Sequence, residues 1–249
     1  MGKISDLDPK SPLAEAYRTV RTNISFADID NNLITIMFTS TKQNEGKSTT
    51  ICHVAHAFSR LENTKVLVVD LDLRNPSVHK MFGIGNTYGV MDYLKNTRDL
   101  EKCINKVEEN IHVLTPGAIP PNPTEILSSK KMQNFIKDIE SKYDYVFIDA
   151  PPVGIVSDGM IISKYTDGVM FVVGANETDI NYTKEVIDNM RKSDINIIGS
   201  ILNKYDMENN AYGYYGYYYQ QDDGRSGRGA NKKKKRKLFN KKKKMGSVR

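Results

Sequence analysis

A mainly parallel α/β sheet with helices on both faces follows from three features of the sequence. Short apolar, β-branched runs recur along the chain, and their continuity suits strands buried on both faces. Segments with apolar residues three and four apart separate most of them, the alternation that builds strand–helix–strand units. Two of the runs end in aspartate, and another leads through a polar loop into a helix.

The elements can be taken in order. Residues 1–10 read as a loose arm. Ser11 offers an N-cap, Pro12 suits the first helical position, and Leu13, Tyr17, Val20 and Ile24 predict a helix that buries their stripe. Leu33–Thr39 reads as a buried strand, followed by a polar loop and a helical segment from Lys47 to Leu61. Lys65–Asp70, Ile111–Thr115, Tyr145–Asp149, Gly168–Gly174 and Ile195–Leu202 bring the expected strands to six. After Asp206 the pattern ends. Residues 212–219 read YGYYGYYY, and no core can be packed from the Gly, Ser, Asp, Lys and Arg that follow, so 207–249 is expected to be mostly disordered.

The chain has 249 residues, 39% hydrophobic and 27% charged, which suits one soluble domain or one domain with a tail. No run approaches the roughly 18 to 20 apolar residues of a membrane span, and Lys3, Asp6 and Asp8 interrupt the start where a secretory signal needs an apolar core. Cys52 and Cys103 lack metal-ligand spacing and read as buried thiols in a reducing compartment. The net charge of +6 would suggest nucleic acid until it is located. Thirteen of the 36 basic residues lie in 225–249 with no acidic one, leaving 23 against all 30 acidic residues in 1–224. The body is acidic, the tail basic.

Thr41-Lys42-Gln43-Asn44-Glu45-Gly46-Lys47-Ser48 matches a P-loop in its Gly-Lys-Ser half, with Thr41 where the general pattern has a glycine. Between a strand and a helix, backbone N–H groups and the helix dipole face a phosphate. Gly46 allows close approach, Lys47 neutralises the β and γ phosphates, Ser48 offers its hydroxyl to Mg²⁺, and Asn44 can take a left-handed backbone. Asp70 and Asp72, two apart in VLVVDLDLRNP, point the same way in extended chain, and Asp149 ends another strand before Pro151 and Pro152. Three such carboxylates beside this loop read as a Mg²⁺-nucleotide site at the mouth of the sheet.

These motifs give a resemblance over about residues 11–206. TSTKQNEGKST, VLVVDLDLRNPSVHKMF and YVFIDAPPVGIVSD resemble the Walker A, A′ and Walker B strings of the bacterial tyrosine kinases of capsular and exopolysaccharide synthesis, relatives of the MinD/ParA ATPases. Gln43-Asn44 departs from the Pro-Gly common in relatives. The resemblance implies ATP and Mg²⁺ as cofactors, with Lys42, Asn44, Glu45, Gly46, Lys47, Ser48, Thr49 and Asn203 at the nucleotide. It implies Ser48, Asp72 and Asp149 at the metal ion and Lys47, Asp70 and Asp72 in catalysis. Asp70 is the candidate base for the tyrosine hydroxyl, and the roles of Asp70 and Asp72 can be exchanged. Lys42 corresponds to a second lysine that can reach a neighbouring subunit's nucleotide, and equally reads as a solvated loop residue.

The resemblance also organises the rest of the chain: an arm and oligomerisation helix over 1–32, a P-loop kinase domain over 33–206, a tyrosine-rich segment over 207–224 and a polybasic tail over 225–249. Glu15, Arg18 and Arg21 share one side of the first helix and resemble the motif that packs such kinases into a ring; a solvated face is the plain alternative. Tyr212, Tyr214, Tyr215, Tyr217, Tyr218 and Tyr219 resemble an autophosphorylation cluster. The implied partner is a membrane adaptor that activates the kinase, at the cytoplasmic face of the membrane, in the regulation of polysaccharide assembly or export. The basic tail suits anionic lipid better than nucleic acid. Phosphorylating all six tyrosines would add roughly −9 to −12 beside the tail and could release it. Three other functions compete: a MinD/ParA-like ATPase switch; a GTPase, through Asn203-Lys204-Tyr205-Asp206; and a nucleic-acid-binding module resting on the tail.

Overall fold

Seven strands run in the order β3-β4-β2-β5-β1-β6-β7. They are β1 (Thr35–Ser40), β2 (Val66–Asp70), β3 (Asn105–Glu108), β4 (Ile111–Leu114), β5 (Tyr145–Asp149), β6 (Gly168–Gly174) and β7 (Ile197–Asn203). The computed structural model describes residues 4, 7–28 and 33–205. The expectations for the tyrosine cluster and the basic tail lie outside the described residues. All neighbouring strands pair in parallel except β3 and β4.

Strict alternation along the central strands sorts the core into two layers. Ile36, Phe38, Val66, Val68 and Phe147 face α1 (Pro12–Ala27) and α2 (Lys47–Phe58). Met37, Leu67, Val69, Val146 and Ile148 share the opposite core with α7 (Lys130–Glu140) and α9 (Ile180–Lys192). Short helices fill the remaining connections: α3 (Val78–Phe82), α4 (Val90–Leu94), α5 (Leu100–Cys103), α6 (Pro123–Leu127) and α8 (Asp158–Ile162). Among the described residues no helix is long and apolar enough to cross a membrane.

The six expected strands all occur, with ends shifted by up to two residues. The seventh, β3, is a polar edge strand reading NKVE, with an irregularity in its pairing to β4. Its pairing is what makes it a strand, since it presents no apolar run. In α1, Ser11 caps the helix by accepting from the Ala14 N–H. Tyr17 and Ile24 are buried as expected, and Tyr17 stacks on His53 of α2 at 4.7 Å between ring centroids. Leu13 is 49% exposed, against the expected buried stripe, because α1 rests on α2 through its Tyr17 side. Cys52 and Cys103 are free and buried.

Register places the acidic strand ends. Asp70 pairs directly with Asp149 across β2 and β5, and Phe38 pairs with Asp149 across β1 and β5. The two aspartates therefore emerge side by side on the α2 face, where the loop after β1 turns into its helix.

Candidate active site

The loop between β1 and α2 has the two left-handed residues it needs. Asn44 has φ 64° and Gly46 has φ 86°, so the asparagine takes the conformation expected of it. The positive φ of Gly46 favours glycine, and a Cβ there would approach Asn203 Nδ2 to 2.0 Å, so that side chain would have to shift. A cavity of about 560 Å³ opens above the loop. Lys42, Asn44, Glu45, Gly46, Lys47, Ser48, Thr49, Asp72 and Asn203, all expected at the nucleotide or metal ion, line it. Arg74, Lys80, Met81, Ile155 and Val156 line it too, without having been singled out from the sequence.

At its floor Lys47 meets the carboxylates. Its Nζ lies 2.5 Å from Asp149 Oδ1 and 3.9 Å from Asp72 Oδ2. Ser48 Oγ donates to Asp149 Oδ2 at 2.5 Å. Burial acts to lower the lysine's pKa, but Asp149, Asp72 and Asp70 together outweigh it, and the net direction is upward. Lys47 thus stays charged and ready to neutralise a polyphosphate.

Asp70 and Asp72 differ sharply. Asp70 is fully buried, and its oxygens accept from the backbone N–H groups of Asp72, Ser77 and Val78. Burial and then the Asp149 charge push its carboxyl up to about 8, against the pull of those amides and Lys47. Asp72 lines the cavity, and its Oδ1 accepts from the Asn75 N–H. Burial raises it, opposed by Lys47.

Ser48, Asp149 and Asp72 supply a hydroxyl and carboxylates, the hard oxygen donors that suit Mg²⁺. Among the described residues no group of three or more His, Cys, Asp or Glu could hold an ion. The donor set fits an ion that takes most of its ligands from phosphate and water.

Two networks escaped the sequence reading. Arg74 Nε and Nη2 donate to the fully buried Asp158 at 2.7 and 3.2 Å, and Thr124 Oγ1 donates to the same carboxylate at 2.7 Å. Arg74 and Asp158 stood inside the quoted A′ and Walker B strings, but only the fold shows that they meet. The second network centres on Glu45, whose carboxylate turns away from solvent to bind three donors. Lys42 Nζ donates to the Glu177 carbonyl. The charged stripe of α1 is also occupied within the chain. Arg18 Nε donates to Glu15 at 2.7 Å, and Arg21 Nη1 donates to the Ala57 carbonyl of α2 at 2.8 Å.

A sheet carrying a phosphate loop and two acidic strand ends defines a nucleotide-binding domain, and the CobQ/CobB/MinD/ParA nucleotide-binding family model matches residues 36–221. At 37% identity the chain is similar to tyrosine-protein kinase YwqD of Bacillus subtilis, over 86% of this chain and 90% of the relative. The kinase domain of Escherichia coli tyrosine kinase ETK superposes with a TM-score of 0.78 at 27% identity, covering 85% of this chain and 84% of that one. MinD of Pyrococcus horikoshii, complexed with Mg-ADP, is more distant, with a TM-score of 0.59 and 27% identity over 70% of this chain and 71% of that one. The chain belongs to the CobQ/CobB/MinD/ParA nucleotide-binding family and, within it, to the bacterial tyrosine-protein kinases.

Proposed function

We propose that this chain is an ATP-dependent protein-tyrosine kinase that phosphorylates its own C-terminal tyrosine cluster, between subunits. The observation that carries the reading is the convergence of Lys47, Ser48 and Asp72 at one cavity, with Asp149 bound to Lys47 and Ser48 beneath them, on a chain 37% identical to a tyrosine-protein kinase. Lys47 binds the ATP phosphates. Ser48 and Asp149 would hold Mg²⁺, which when bound supplies charge neutralisation at the transferred phosphoryl group. Asp72 faces the cavity and takes the proton of the acceptor tyrosine hydroxyl as its oxygen bonds to the γ-phosphorus and the bond from that phosphorus to ADP breaks. Asp70, fully engaged by backbone amides, positions the segment that carries Asp72. This moves the base from Asp70, first assigned from the resemblance, to Asp72, and takes Asp72 out of the metal ligands.

Asn203 contacts the adenine, and Lys42 reaches a neighbouring subunit's nucleotide on leaving the Glu177 carbonyl. Glu15, Arg18 and Arg21 contribute to a ring of subunits, with an adaptor at the membrane as activator and polysaccharide assembly or export as the regulated process. The polybasic tail contacts anionic lipid until phosphorylation of the adjacent tyrosines discharges it. The kinase reading is tested by incubating the purified chain with Mg-ATP, with and without a peptide from the adaptor's cytoplasmic end, and mapping phosphotyrosine by mass spectrometry. The expected result is modification within Tyr212–Tyr219. ATP turnover without any phosphotyrosine would instead identify an ATPase switch.

A further inference from the structure

Glu45 is 1% exposed and carries an unusual share of the loop's hydrogen bonding. Its Oε2 accepts from the Lys42 N–H at 2.9 Å, and its Oε1 accepts from the Gly174 N–H at 3.2 Å and from Thr178 Oγ1. One carboxylate therefore joins the phosphate loop to the end of β6 and the segment that leads into α9. A buried carboxylate that satisfies three donors cannot be removed without leaving them unpaired.

The backbone of the same residue acts on Asn203 at the end of β7. Asn203 Nδ2 donates to the Glu45 carbonyl at 2.9 Å. This end of the amide also packs against Gly46, where a Cβ would come within 2.0 Å of Nδ2. With one Nδ2 hydrogen held by the Glu45 carbonyl, the orientation of the amide is set, and Oδ1 is the acceptor that Asn203 can offer a ligand in the cavity it lines. An adenine presents an exocyclic amine, a donor, where a guanine presents a carbonyl oxygen. An acceptor fixed at this place binds the first and opposes the second.

We infer that Glu45 is a positioning residue for base selection: its buried carboxylate holds the loop so that its own carbonyl locks the Asn203 amide with Oδ1 toward the nucleotide. The role of the Glu45 carboxylate in this scheme is indirect, since its oxygens are engaged by Lys42, Gly174 and Thr178 within the chain. The inference rests on the Asn203–adenine contact proposed above.

The test measures equilibrium affinity of the full chain for Mg-ADP and Mg-GDP by calorimetry, which needs no phosphoryl transfer. The unaltered chain is expected to prefer ADP. Glu45→Ala is expected to weaken ADP about tenfold while GDP changes less than about twofold, the scale of one lost hydrogen bond. Glu45→Gln keeps an acceptor for Gly174 and Thr178 but cannot serve the Lys42 N–H, so its loss of preference falls between the two. Asn203→Ala is expected to erase the preference, and adding Glu45→Ala to it is expected to change the ADP-to-GDP ratio no further. Should Glu45→Ala fail to fold, as judged by circular dichroism, Glu45→Gln and Thr178→Val carry the comparison. Equal weakening of both nucleotides, an unchanged ratio in the Glu45 variants, or additive ratio changes in the double variant would each overturn the inference. No ADP preference in the unaltered chain would remove the Asn203 contact, and this inference with it. A preference found without phosphotyrosine formation would leave it standing while the kinase reading fell.

Discussion

The wall of the cavity at the ends of β2 and β5 and the wall at the ends of β6 and β7 are held by different chemistry. On the first, one buried lysine faces Asp149 and Asp72, with Asp70 behind them. On the second, a single buried carboxylate, Glu45, collects backbone and hydroxyl donors beside a neutral amide, Asn203, that lines the cavity. The difference teaches where the site is brittle. A cluster of like charges balanced by one cation depends on that cation, whereas a set of neutral donors around one acceptor weakens by degrees.

The strongest way to break the comparison is Lys47→Ala. Phosphotyrosine formation should fall about a thousandfold, the scale of losing a charge aimed at the transferred group, while variants on the Glu45 wall lose far less. Equal losses in single-turnover assays would erase the distinction.

Asp72→Asn comes next, with an expected loss of about a hundredfold in the transfer step and near-normal Mg-ADP affinity, as for removal of a general base. If nucleotide affinity falls in step with the rate, Asp72 belongs to the binding machinery instead.

Asp70→Asn sharpens the contrast within the first wall through pH. The folded-state pKa of Asp70 is raised from 3.8 to about 8, so between these values the folded chain binds more protons than the unfolded one. Its contribution to stability is full below about pH 4 and is lost as pH rises toward 8. The asparagine, which cannot ionise, should lower stability overall yet flatten the decline across that window. Parallel melting curves against pH for the two proteins would refute the buried, protonated carboxyl.

The smallest effect on the folded monomer is expected outside both walls. Reversing the charges of Arg18 and Arg21 should cost the monomer about 1 kcal/mol or less, since Arg18 and Glu15 are each more than a third exposed. The same change should reduce the assembly mass in light scattering, and an unchanged mass would sink the ring contact.

How much was legible varied by residue. Gly46, Lys47 and Ser48 could be read because a phosphate loop is local: its donors come from consecutive residues between one strand and one helix. Asn44 could be read because few residue types accept a left-handed backbone. Asp70 and Asp72 were found but could not be told apart. Their spacing is the same in either assignment, and only the turn at Ser77 and Val78, which closes on Asp70, separates them. Arg74 and Asp158 lie 84 positions apart, and Glu45 and Gly174 lie 129 apart. No periodicity links such partners. β3 was missed for a related reason, as a polar edge strand has pairing but no apolar signature.

The sequence by itself determined the alternation of strands and helices, the phosphate loop, the acidic strand ends and the separation of an acidic body from a basic tail. These properties rest on nearest neighbours, periodicity and charge counts. Tertiary structure decided which carboxylate is sealed behind the cavity and which lines it, and it joined the Glu45 carboxylate to Gly174 and Thr178 and the Glu45 carbonyl to Asn203. Parallel pairing sets the ends of distant strands side by side, so the partner that gives each polar group its role is chosen by strand order and register rather than by sequence distance.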